Sequence, residues 1–168
     1  GEVLFDANLA VGASRGMVEW ATALETDMKA WEPNRDDAFT AVVTMTPTVG
    51  DYFGEWKESQ FLGGDSAAFV AQSRLVDVTG IMSGCERMYR SAISPVVAAD
   101  DPALDSSISG GFEELLALIA DTRGREEQGD TFSPEEADAL GAEAQDLAER
   151  IVAQVLQAAA KHGVDIKS

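Results

Sequence analysis

Cysteine and histidine are almost missing from this chain, and each scarcity removes a class of chemistry. One cysteine, Cys85, in 168 residues allows no internal disulfide and no multi-thiolate zinc site. One histidine, His162, confines any Ser-His or Cys-His pair to that single position. Lysine is scarce too, at Lys29, Lys57, Lys161 and Lys167. No apolar run approaches the ~20 residues of a transmembrane helix. No stretch alternates polar and apolar residues as a half-buried strand does. Gly-rich phosphate loops, nucleophile elbows and zinc-protease motifs are all absent.

What is present is acid. Asp and Glu number 30 against 12 Lys and Arg, for a net charge of −18. Such a surface repels nucleic-acid phosphates and anionic membranes and attracts cations or basic partners. Much acid, little lysine and abundant alanine match adaptation to high salt, where carboxylate repulsion is screened. An ordinary acidic domain shares that composition. Hydrophobic residues at 45% supply a real core, and the length suits one domain over 1–168. The chain opens at Gly1 with no leader-like segment and reads as a mature or excised piece.

Apolar residues recur every three or four positions throughout, so the expected fold is all-α, an up-and-down antiparallel helical bundle of four to five helices. The first helix, over about 2–31, carries Phe5, Leu9, Ala13, Met17, Trp20, Leu24, Met28 and Trp31 on one stripe, with a weak point expected near Gly12. Asn34 caps the second, which bears Phe39, Val42, Met45, Val49, Phe53 and Trp56 and should be interrupted at Pro47. Gly63-Gly64 closes it, and Asp65 or Ser66 is expected to cap the third. That helix carries Leu75, Val78, Met82, Cys85, Tyr89 and Ile93 and should stop at Pro95. Asp101-Pro102 starts the fourth, which ends near Gly124, and Ser133-Pro134-Glu135-Glu136 is a capping box opening the fifth, which ends at Gly163.

Candidate chemistry rests on carboxylates. Asp51, Glu55 and Glu58 share one helical face, and Asp77 lies on the next helix; such groups suit a hard cation bound through oxygen, or equally form a solvated acidic face. A di-metal bundle site needs Glu-x-x-His motifs, and the chain has none, Ala159 standing three residues before His162. Trp20, Trp31, Trp56, Tyr52, Tyr89 and Met82 sit at core spacing, which favours packing over a flat cofactor.

The run Gly54-Glu55-Trp56-Lys57-Glu58, followed by Ser73-Arg74-Leu75-Val76-Asp77-Val78-Thr79-Gly80-Ile81-Met82-Ser83-Gly84, resembles the second half of imelysin and EfeO-like proteins. Tyr89, Pro95-Val96-Val97 and Asp101-Pro102-Ala103-Leu104 extend the resemblance over about 54–160. It implies a non-enzymatic, extracytoplasmic accessory domain linked to iron or another cation, working with an adjacent domain or a membrane permease. The family was once filed with metallopeptidases for a His-x-x-Glu motif, which this chain lacks. Glu55, Glu58 and Asp77 match the acidic places of the pattern, with Asp51 in support, and Gly80 and Gly84 match its small helix-packing places. The rival readings are a structural or protein-interaction bundle with no small ligand and, behind it, a degenerate hydrolase.

The charge has a direct consequence. Stability should rise from low to molar salt, measured as denaturation midpoints in matched buffers. A flat or falling dependence removes the high-salt reading.

Overall fold

A computed structural model describes residues 2–30, 34–61 and 73–167; Trp31, Gly63-Gly64, Asp65 and Ser66 lie outside them. The described residues are helical with short connections and contain no strand, so the chain is an all-α helical bundle as expected. Contacts divide it into two compact units, residues 1–33 and 34–168, where the sequence reading drew a single domain over 1–168.

The first unit is helix α1 (Glu2–Ala30). It runs unbroken through Gly12, against the expected weak point: the propensity cost of its glycines, ~1 kcal/mol each, is spread over a long helix of good formers. Described by itself, this helix leaves Trp20 79% and Met17 73% exposed.

The second unit is built from four rods among the described residues. The first joins α2 (Arg35–Met45) to α3 (Val49–Phe61) through the 3₁₀ turn Thr46–Thr48. Asn34 caps α2, its Oδ1 accepting from the Asp37 N–H at 2.9 Å. Pro47 causes the interruption, as expected: it has no N–H for the helix ladder, and the tighter turn carries the chain past it.

The second rod joins α4 (Arg74–Met88) to α5 (Ser94–Asp100) through a π turn at Tyr89–Ile93. Two expectations are corrected here. Ser73 is the cap of α4, its Oγ accepting from Leu75 N–H at 3.1 Å. Pro95 does not stop the helix. A proline clashes with the carbonyl four residues back, and the wider π turn opens that step, leaving Pro95 in the first turn of α5.

Helix α6 (Pro102–Glu127) is capped by Asp101 and runs three residues past Gly124. The turn that follows holds Gly129, whose φ of +87° suits glycine. Helix α7 (Pro134–Lys161) is capped by Ser133, whose Oγ accepts from Glu136 N–H at 3.1 Å. The box is closed differently from expectation, because the Glu136 carboxylate takes Arg125 at 2.6 Å. At the far end Gly163 adopts φ +63°, the Val164 N–H donates to Ala159 at 2.9 Å, and the Val164 side chain is buried.

Neighbouring rods run antiparallel. Lys57 meets Asp138 while Gly50 lies under Gln145, and Gln154 meets Ser107 while Arg125 meets Glu136. Each rod gives one stripe to a shared core that includes Phe39, Phe53, Trp56, Met82, Tyr89, Phe112, Ile119 and Ile151. The two buried polar residues among those described, Thr46 and Thr122, return their hydroxyls to Val42 and Leu118 on their own helices.

Helix α6 packs tightly on α7 at Gly111, where a Cβ would lie 2.9 Å from Ile151 Cγ1; at Gly110 a Cβ meets open space. Gly110→Ala should therefore stabilise by about 0.5–1 kcal/mol through helix propensity. Gly111→Ala should be destabilised relative to it by about 1–3 kcal/mol from overpacking. Urea midpoints of the two variants check the sign.

Candidate functional site

The four acidic candidates are all described, and the fold separates them. Asp51 faces solvent at the rim of a groove of about 420 Å³ between α3 and α7, which is also lined by Gly50, Gly54, Lys57 and Asp138. Glu58, two turns on, is exposed. Glu55 leans the other way, toward α4. A helical face is broad enough for residues four apart to serve different neighbours, so shared spacing did not bring these three together.

Glu55 and Asp77 do come together, on an arginine. The guanidinium of Arg74 pairs with Glu55 at 3.0 Å and with Asp77 at 3.1 Å. Because α4 starts at Arg74, Asp77 stands in its first turn, level with Glu55, rather than several turns in as an earlier helix start would place it. There it also complements the positive end of the helix. The cation between these carboxylates is thus supplied by the chain itself. Among the described residues no group of three or more His, Cys, Asp and Glu side chains is placed to hold a metal ion. The residues do not fit a carboxylate cage for iron or calcium, which needs several oxygens converging on one point. Gly80 and Gly84 are exposed, and a Cβ at either meets open space, so neither serves a close helix contact among the described residues.

The same end of the second unit holds an aromatic and ionic knot around the α6–α7 turn. The Trp56 indole N–H donates to Glu126 at 2.9 Å, and its ring meets Phe132 edge-on at 5.0 Å. Arg125 lies over the Phe132 ring at 4.6 Å and pairs with Asp130 at 3.3 Å and Glu136 at 2.6 Å. This arrangement fastens the α6–α7 turn to α3. The available signal was an arginine, an acid and an aromatic residue bracketing a glycine turn, but no periodicity marks it.

Two buried ionisable groups lie in the interior. Burial pushes the Cys85 thiol up, and the Thr46 hydroxyl beside it pulls weakly the other way. Burial, then the Asp105 carboxylate that accepts its proton at 2.7 Å, pushes the Tyr89 phenol up. Both are held in their neutral forms, and neither is poised as a nucleophile or base. At the opposite end His162 closes α7, and its carbonyl accepts from Arg35 at 3.3 Å. Asp101 both caps α6 and pairs with Lys161 at 2.5 Å.

Residues 5–155 match the family model described as imelysin, a family that carries a peptidase name. No curated protein and no solved structure matches the chain. No described helix is long and apolar enough to cross a membrane.

Lys161, first, and the Leu104 N–H hold the Asp101 carboxyl below the ordinary carboxylate range. A depressed folded pKa stabilises above the unfolded value, and that contribution is lost as pH falls through the folded one. Asp101→Asn keeps the cap but discards the charge. The variant should be less stable at neutral pH and lose less on acidification, measured as denaturant midpoints at neutral and acid pH. The Cys85 thiol should react with a thiol reagent only on unfolding, followed by absorbance with and without denaturant.

Proposed function

The chain belongs to the imelysin family, and from that premise we propose that it is a non-enzymatic, extracytoplasmic accessory bundle that docks a partner, either an adjacent domain or a membrane permease. The observation that carries this reading is the Arg74 bridge. The two acidic side chains of the family pattern that meet in space, Glu55 and Asp77, are spent on a guanidinium that links α3 to α4. They support the scaffold rather than offering free oxygens.

The interior supports the same reading. Its threonines satisfy themselves, Tyr89 is tied to Asp105, and Cys85 is held as a thiol. A peptidase needs a nucleophile beside a base, or a metal with an open position. The polar chemistry here lies in surface ion pairs instead. An acidic exterior of this kind suits a salty medium outside the cell and a basic docking face on the partner.

A second reading keeps the iron link, with a cation taken at the exposed carboxylates Asp51 and Glu58 and with Glu55 and Asp77 released from Arg74. Calorimetric titration of Fe(III) and Ca(II) separates the two. The docking reading expects no saturable one-to-one binding by the native protein. It also expects Arg74→Gln, which frees Glu55 and Asp77, to gain more heat than the native protein shows. Saturable native binding that disappears in the Glu55→Gln, Glu58→Gln double variant overturns the docking reading in favour of the metal one.

A further inference from the structure

The groove between α3 and α7 is a built feature of the second unit. Its lining lies wholly between Pro47 and Gln145, so its shape does not depend on the first helix. Its volume of about 420 Å³ falls within the roughly 300–1,000 Å³ of clefts that hold ligands. We propose that this groove receives an arginine side chain presented by the docking partner. The inference rests on the docking reading and gives it a place and a chemistry.

The floor has almost no side chains, which lets a guest approach the backbone closely. Two of its glycines serve internal packing. A Cβ at Gly50 would collide with Gln145 Oε1, and one at Gly141 would lie 3.4 Å from Phe53 Cβ. Gly54 is different. A Cβ there meets open space, so packing of α3 on α7 does not require glycine at this position. The helix gives up ~1 kcal/mol of propensity and the groove stays clear.

The polar groups at the groove are acceptors short of donors. Asp51 has no cationic partner among the described residues. Gln145 donates its amide N–H to Glu149 at 2.9 Å, which leaves Oε1 beside Gly50 with no donor among the described residues. The lining includes one cation, Lys57, and Asp138 takes it at 2.5 Å. A guest that brings donors and positive charge completes this set. A bare metal ion does not, because its oxygens must converge on one point and these lie on two helices. A guanidinium spreads five donors over a plane and serves separate acceptors at once, where an ammonium is a point charge. Its apolar stem lies along the glycine floor. The net charge of −18 draws such a guest in from a distance.

Fluorescence anisotropy of a labelled helical peptide of alternating arginine and alanine, titrated with the chain at physiological salt, tests this. Saturable one-to-one binding is expected, weaker for the same peptide with lysine in place of arginine. Asp51→Asn should weaken it about tenfold, the scale of one lost charge-assisted hydrogen bond. Gly54→Leu fills the groove at unchanged charge and should weaken it at least as much, whereas Gly84→Leu adds the same side chain at an open place on α4 and should change nothing. Circular dichroism of each variant checks that the fold is kept. No saturable binding, equal effects of Gly54→Leu and Gly84→Leu, or a lysine peptide bound as tightly as the arginine one overturns the proposal. Those outcomes leave the docking reading standing; that reading falls separately, to saturable native binding in the metal titration.

Discussion

Burial of one apolar stripe from each of four rods sets the geometry of the other described residues of the second unit. Trp56, Met82, Tyr89, Phe112 and Ile151 have essentially no exposed surface, and they come from α3, α4, the π turn, α6 and α7. Side chains of that size interdigitate only if the rods keep a common register along their lengths. The two interruptions at Pro47 and before Pro95 are compatible with it because each replaces one α turn with a tighter or wider one and lets the helix continue. Tyr89 shows the coupling. Its ring packs 5.8 Å from Phe112 in the core, its hydroxyl reaches Asp105 on α6, and it begins the turn that carries the chain past Pro95.

The polar groups follow from that frame. Once the rods are seated, their ends bring together residues distant in sequence, and those ends hold most of the side-chain interactions between elements. Arg74 joins α3 to α4, the Arg125–Phe132–Trp56 knot joins the α6–α7 turn to α3, and Lys161 joins the end of α7 to the cap of α6. Exposed pairs of this kind contribute little each, because water and salt screen them. They tune how the ends close and do not hold the bundle together. Of the acidic places in the family pattern, the two that meet in space share one cation of the chain's own, because Arg74 lies one turn from Asp77 and across from Glu55.

The stripes at spacing three and four, the caps at Asn34, Asp101 and Ser133, and the break at Pro47 were all legible in residue order. Each depends on neighbours within one or two helical turns, where backbone geometry is regular enough to count along. The burial of Cys85 and Tyr89 followed from the same count. The resemblance carried by residues 54–84 led to the right family through that local grammar.

Periodicity states that a helix has an apolar face and is silent about what covers it, so Trp20 and Met82 looked alike in sequence. Only the tertiary structure distinguishes them, with Met82 enclosed by the core of the second unit and Trp20 on a helix that makes a unit by itself. The fate of Pro95 and the partner of Glu55 were likewise settled in three dimensions. A π turn depends on how α4 and α5 seat against α6, and the Arg74 bridge depends on where α4 begins relative to α3. Secondary structure and composition are sums over near neighbours and can be read from the order of residues. Which carboxylate meets which cation depends on the relative placement of helices far apart in the chain, and the packing of the core decides that.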